Sequence, residues 1–424
     1  MKIATIEAKI TPPVGTLLAG YGSNDVSESI HDDLKVNGLC FDDGEKKALL
    51  LSFDLIGLEM SVVSELRRRC AELIGGTEAD VMLTCTHTHE GPHTRETGAN
   101  ALDEIACRIL VTNTLAAVEA AVRGNFIEVT ASFYSEQVDV NTNRRYCGPE
   151  NVCRFLPHHR SLEPLADGTT DRELGILLFN RAGTSRPFAV IGNYAAHPLV
   201  AHAPGAGGLA ISADYPGRYR ELVEESTGAF PVFTTGAAGD QFPIASELGF
   251  SALDLVAGPL ARATVHGMID ASRNPAKFRM DDPKIHTSIR RFEAALRADK
   301  PDEKRIPKLR GLKNTELEVQ LLAVGDVCFV GVPGELEAGP GLEIKWHSPY
   351  RRTWVLYNST GYYGYFSPAN DFVSGGYESA RGQNFEVLTV LDMVNTAVRG
   401  MFELHGAIDI PPWPPAIQNG KGTR

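Results

Sequence analysis

The 424 residues carry 43% apolar and 22% charged side chains with a net charge of −12, a balance far from the low-hydrophobicity, high-charge regime of disorder. The acidic sum argues against a nucleic-acid partner, and the densest basic cluster, Arg67, Arg68 and Arg69, lacks interleaved aromatics. No uninterrupted run of about eighteen apolar residues occurs, so no transmembrane segment is expected; the stretch after Lys2 is broken by Glu7 and Lys9, unlike a secretory leader, and a cytoplasmic location is the expectation.

In chain order, residues 36–41 and 48–53 flank the turn Asp42-Asp43-Gly44 and read as a hairpin. Residues 61–74, 103–123, 215–225, 252–272 and 385–404 have helical period and length. Strand-like apolar runs lie between them. This alternation predicts an α/β protein with a mixed sheet core flanked by helices, one domain over residues 1–410 and a Pro-rich surface tail over 411–424. The charged stretch 297–310 reads as a solvated excursion. Seven scattered cysteines imply no disulfide framework in a chain large enough to bury its own core.

A short apolar strand followed at once by small residues and reactive side chains recurs five times. Residues 81–83 lead into Thr86-His87-Thr88-His89-Glu90-Gly91-Pro92, and 188–191 into Asn193 and His197-Pro198. Residues 232–233 lead into Gly239-Asp240, 327–332 into Pro333-Gly334-Glu335, and 354–357 into Gly361-Tyr362-Tyr363-Gly364-Tyr365. Ligands in α/β sheets sit beyond the carboxyl ends of strands, where such loops bring distant side chains together. Histidines, a glutamate, an aspartate and tyrosines delivered to one edge form the donor inventory of a metal site, and zinc catalysis needs three or four N/O ligands with one position open. His87 and His89, two apart, share a face of an extended segment. The plainer alternative is that one ligates while the other only hydrogen-bonds.

These segments, taken in order, resemble the catalytic region of the neutral, non-lysosomal ceramidases. Thr86–Pro92 is similar to that family's THTHSGP, Asn193–Pro198 with Ser212-Ala213-Asp214 to its histidine-proline and SGD segments, and Gly239-Asp240 to the start of GDxSPN. Pro333-Gly334-Glu335 resembles its PGE, Tyr365 and Tyr377 its paired tyrosines, and Asn141-Thr142-Asn143-Arg144 its NxNR. The resemblance implies a ceramidase-like fold with the site at strand carboxyl ends. It further implies one zinc ion on His87, His197, Glu335 and Tyr365, with His89, Arg144 and Tyr377 on the substrate side. Asp240 is then either a general base or an acceptor that orients a ligand. Phe242 stands where the family has the serine of GDxSPN, and Glu90 where THTHSGP has its serine. The family's immunoglobulin-like C-terminal domain has no counterpart in these residues. The expected activity is zinc-dependent hydrolysis of an N-acyl amide in a small-molecule or N-acylated substrate other than long-chain ceramide. An esterase or lactonase, or a non-catalytic metal-containing binding protein, are the alternatives, and an oligomer is compatible with the sequence.

Overall fold

The computed structural model describes residues 1–20, 25–97, 100–124, 126–147, 153–155, 168–201, 209–298 and 306–406. His158, His159, Gly205–Gly208 and the tail lie outside the described residues.

Two sheets form the core. The larger has eight strands, here β1 (Lys2–Lys9), β2 (Lys35–Asp42), β3 (Lys47–Phe53), β4 (Val81–Cys85), β5 (Ile127–Gln137), β6 (Glu173–Arg181), β7 (Pro187–Tyr194) and β8 (Phe230–Thr235), in the order β8-β7-β6-β5-β1-β2-β3-β4. The smaller runs β9 (Ile285–Ala295), β10 (Asn314–Val324), β11 (Val327–Gly331) and β12 (Arg352–Leu356), in that order. The expected hairpin is β2–β3, with Phe41 opposite Ala48.

The strands explain why the sheets face each other. Side chains alternate sides along a strand, and in β3 both sides are apolar: Ala48 and Leu50 join Phe329, Trp354 and Leu356 of the smaller sheet, while Leu49, Leu51 and Phe53 join α1 (Met60–Ile74) and α2 (Glu104–Arg123). Leu177 and Phe179 of β6 likewise turn toward the smaller sheet, whereas Leu174 and Ile176 meet α3 (Asp214–Thr227) and α4 (Leu253–Arg273). The outer face of the smaller sheet carries α5 (Ala338–Trp346) and α6 (Thr389–His405) through Val319, Leu321, Val330, Ile344 and Met393. The architecture is helix, sheet, sheet, helix. Trp354 reaches so far across the sheet interface that a Cβ on Gly175 would lie 2.2 Å from its ring, so residue 175 has room for hydrogen alone.

The larger sheet is joined at its centre by a short ladder, Lys2↔Glu128 and Ile3↔Ile127, extended by Val129 N donating to Met1 O at 3.0 Å. Its halves fold toward each other: the Ser52 hydroxyl donates to Phe233 O at 2.6 Å and that of Thr235 to Thr86 O at 2.9 Å. The carboxyl ends of β4 and β8 are thereby neighbours.

One expectation needs correction. The last helix begins at Thr389 and not at 385, because Phe385, fully buried, is held extended in a bridge to Leu296. Helix α2, whose charges fall near its ends, is long and apolar enough by composition to cross a membrane; in this fold its Leu110, Leu115 and Val118 belong to the core beside α1 and β1.

Candidate active site

Strands β3 and β4, β7 and β8, and β11 and β12 are parallel pairs. Parallel neighbours release their carboxyl ends at one edge, which gathers residues 54–59, 86–97, 195–201, 236–240, 332–337 and 357–366.

His87 leaves β4 with φ +74°, a conformation that costs energy for any residue with a Cβ and that concentrates at functional sites. Backbone bonds from Thr86 N to Phe53 O at 2.8 Å and from His87 N to Leu55 O at 2.9 Å hold it there. The imidazole is thereby turned inward and buried, with Nδ1 2.6 Å from Ile56 O and 2.8 Å from the Asn358 side-chain amide. His197, also buried, has Nδ1 3.2 Å from Gln241 O. A ring nitrogen against a carbonyl carries the proton, which leaves the lone pair on Nε2. Both Nε2 atoms face the same atom, Glu335 Oε2, at 3.4 Å from His87 and 3.1 Å from His197.

Burial pushes His197 down to about 4 against the pull of Glu335, so its ring is neutral near pH 7. Burial alone would raise Glu335; the adjoining His87 and His197 outweigh it and hold the carboxyl well below the ordinary range. Acceptor atoms that converge in a buried space need a cation between them. Tetrahedral sites with bonds of about 2.0–2.2 Å set ligand atoms roughly 3.3–3.6 Å apart, close to the spacing here. His87, His89 and His197 also each offer a nitrogen within 4.8 Å of the others. The donor set fits a metal ion. His89 is half-buried, its ring 5.1 Å from that of His87 and 6.1 Å from that of His197, and it lies against Gly20.

Glu335 and Tyr365 are partners in a short parallel bridge. The Tyr362 hydroxyl donates to Glu335 Oε1 at 2.6 Å, which leaves Oε2 to the histidines. Arg144 is buried; its Nη2 donates to the Tyr365 hydroxyl at 3.1 Å and its Nε to Glu378 at 2.6 Å. Burial first, and the charge of Glu335 second, raise the Tyr365 phenol well above its ordinary range, with Arg144 opposing. The half-buried Tyr377 packs edge-on against Tyr365 at 5.5 Å, and the Arg144 guanidinium lies 5.7 Å from its ring. Glu378, fully buried, also pairs with Arg145 at 2.9 Å.

Asp240 is buried with both oxygens engaged: Oδ2 accepts from Asn143 at 2.6 Å, Oδ1 from the Gln241 side chain and from Ala338 N, each at 2.9 Å. Burial raises it to about 6 despite those bonds. Phe242 is buried between the histidines and the arginine, its ring 6.3 Å from that of His197 and 5.0 Å from the Arg144 guanidinium.

The fold therefore brings His87, His89, His197, Glu335, Arg144, Tyr365 and Tyr377 to one place, with Asp240 one layer behind. Sequence reasoning did not single out Tyr362 and Glu378 as site residues, although one lies in the aromatic loop before Tyr365 and the other follows Tyr377.

No family model matches the chain, and no curated relative is found. Among solved structures, the chain is similar to neutral ceramidase from Pseudomonas aeruginosa, with a TM-score of 0.75 at 16% identity over 95% of this chain and 75% of that one. A ceramidase complexed with C2 matches with a TM-score of 0.74 at 15% identity, over the same shares. The fold, a large mixed sheet flanked by helices, is that of the neutral ceramidases.

Proposed function

We propose that the chain is a zinc-dependent hydrolase of N-acyl amide bonds, with the ion held by His87, His197, Glu335 and Tyr365. The observation that carries this reading is the meeting of two imidazole lone pairs on one carboxylate oxygen, at 3.1 and 3.4 Å, beside a phenol that a guanidinium holds in place. The ceramidase fold supports hydrolysis of an amide. Zinc, when bound, supplies a Lewis acid for the carbonyl and lowers the pKa of water to about 7.

The chain's own residues divide the remaining work. Carbonyls of Ile56 and Gln241 fix the ring orientation of the two buried histidines. Tyr362 fixes the Glu335 carboxylate. Asp240, engaged by three donors, acts as a positioning residue that ties residues 141–144 to 240–243 and to the start of α5. His89 protonates the departing nitrogen, and Tyr377 donates to the oxygen that gains charge. The buried ring of Phe242, where the ceramidase motif has a serine, gives the floor a shape that disfavours a two-chain lipid.

Tyr377→Phe is expected to retain the metal and lose roughly 10²–10³ in kcat, the cost of one donor in a preorganised site. Metal content and steady-state kinetics on one preparation decide it. Loss of metal would exchange the roles of Tyr365 and Tyr377. Turnover of long-chain ceramide at an ordinary enzymatic rate, about 1–10³ s⁻¹, would overturn the substrate part of the proposal.

A further inference from the structure

Beside the metal centre lies a narrow cleft lined by Glu59, Arg95, Glu96, Ile306, Lys308 and Tyr362. Tyr362 borders both, because its hydroxyl reaches Glu335 while its ring face carries the Arg95 guanidinium 3.9 Å from the centroid. Arg95 Nε and Nη1 are shielded from solvent and find no acceptor among the described residues. Lys308 adds a second cation, stacked 3.8 Å over the Tyr363 ring.

The carboxylates nearby do not complete this arginine. Glu59 serves the backbone, its Oε1 accepting from Met60 N and its Oε2 from Glu96 N, each at 3.1 Å, and it stands 4.0 Å from Lys308. Glu96 is exposed at the rim. Shielded guanidinium donors left unused are costly, and the planar fork matches a carboxylate bidentately. Burial, opposed by Glu59 and reinforced by Arg95, holds Lys308 down to about 8, still charged near pH 7.

We infer that Arg95, with Lys308, is a specificity site for a carboxylate carried by the substrate close to its scissile bond, which makes the preferred substrates anionic N-acyl compounds. The inference rests on the amide-hydrolase reading and narrows its substrate class. The carboxylate can belong to the amine part, as in an N-acyl amino acid, or to the acyl part, as in a monoamide of a dicarboxylic acid; both present the same planar anion.

The experiment compares isosteric pairs on the zinc-loaded chain: N-butyrylglycine with N-butyrylglycinamide, and N-succinylpropylamine with its terminal primary amide, N-succinamoylpropylamine. One charged member is preferred in kcat/KM by roughly 10–100-fold, the worth of hydrogen bonds to a charged group, with the difference carried by KM. The pair that shows it identifies the part bearing the anion. Arg95→Ala brings that ratio toward one and Arg95→Lys retains part of it, while metal content and the unfolding midpoint report that the variants fold. Ratios near one in the wild type, or a ratio that Arg95→Ala leaves intact, overturn the inference while hydrolysis of all four compounds keeps the parent reading. Turnover of none of the four counts against the parent reading instead. Calorimetric binding of N-butyrylglycine and N-succinylpropylamine against their neutral isosteres then decides the anion site: tighter binding of a charged member that Arg95→Ala abolishes supports it, and equal binding overturns it.

Discussion

Replacing Glu335 with glutamine is expected to lower zinc affinity by at least the roughly 10–100-fold that follows loss of groups outside the coordination sphere, and to remove amide turnover with it. Among the described residues, the carboxylate is the one formal negative charge facing the imidazole lone pairs of His87 and His197. Glutamine keeps the shape and Tyr362 keeps its acceptor, but the side chain becomes neutral. Its amide N–H can also donate to His197 Nε2 and close the site without an ion. The metal-free variant is therefore expected to be no less stable than metal-free wild type, since it no longer buries that charge. What disappears is the rise in unfolding midpoint on adding zinc, which follows the ratio of metal concentration to Kd. Chelator competition and melting with and without zinc measure both effects; unchanged affinity would place the ion elsewhere.

Glu378→Gln is expected to destabilise the fold by about 3–5 kcal/mol, the scale of a buried ion pair broken on one side. Glu378 is fully buried and receives Arg144 Nε at 2.6 Å and Arg145 Nη1 at 2.9 Å. Arg145 retains Asp371 at 3.0 Å, whereas Arg144 loses its carboxylate and with it the fixed geometry that holds the Tyr365 hydroxyl. Denaturant unfolding gives the stability change, and the same preparation should turn over substrate more slowly at full metal loading. A change below about 1 kcal/mol, the range of an exposed pair, would mean that this network is wetter and weaker than its geometry implies.

The contrast between these two residues shows what the sequence made legible. Glu335 follows an apolar strand and a Pro-Gly turn, a local pattern with a physical meaning, so it is legible as a candidate in the sequence alone. Glu378 acquires its role only from Arg144 and Arg145, more than two hundred residues away in sequence, and no local pattern announces such a pair. Helix positions were legible within a few residues because apolar period and caps agree: Asp103 accepts from Ala106 N at the start of α2, and Gly75 closes α1 in the left-handed conformation. The start of the last helix was misread because residues 385–388 are as apolar as a helix while a bridge to Leu296 claims Phe385. The second sheet was not foreseen as a separate layer. A strand such as β3, apolar on both faces, reads the same whether its second face meets helices or another sheet; only the fit of Trp354 against Gly175 distinguishes them, and that is a relation between distant residues. Helix α5, with Gly339, Pro340 and Gly341 in its first turn, carries poor helical propensity and for that reason does not show as a helix in the sequence.

The most direct test of the whole account is hydrolysis of short N-acyl amides by the intact chain after chelation and after return of one equivalent of zinc. The account predicts that the chelated protein, still folded, turns over no amide and that zinc restores the rate in proportion to the ion bound. Amide turnover that persists in metal-free protein, or zinc-loaded protein that binds the ion at His87, His197 and Glu335 yet cleaves no amide, would contradict it.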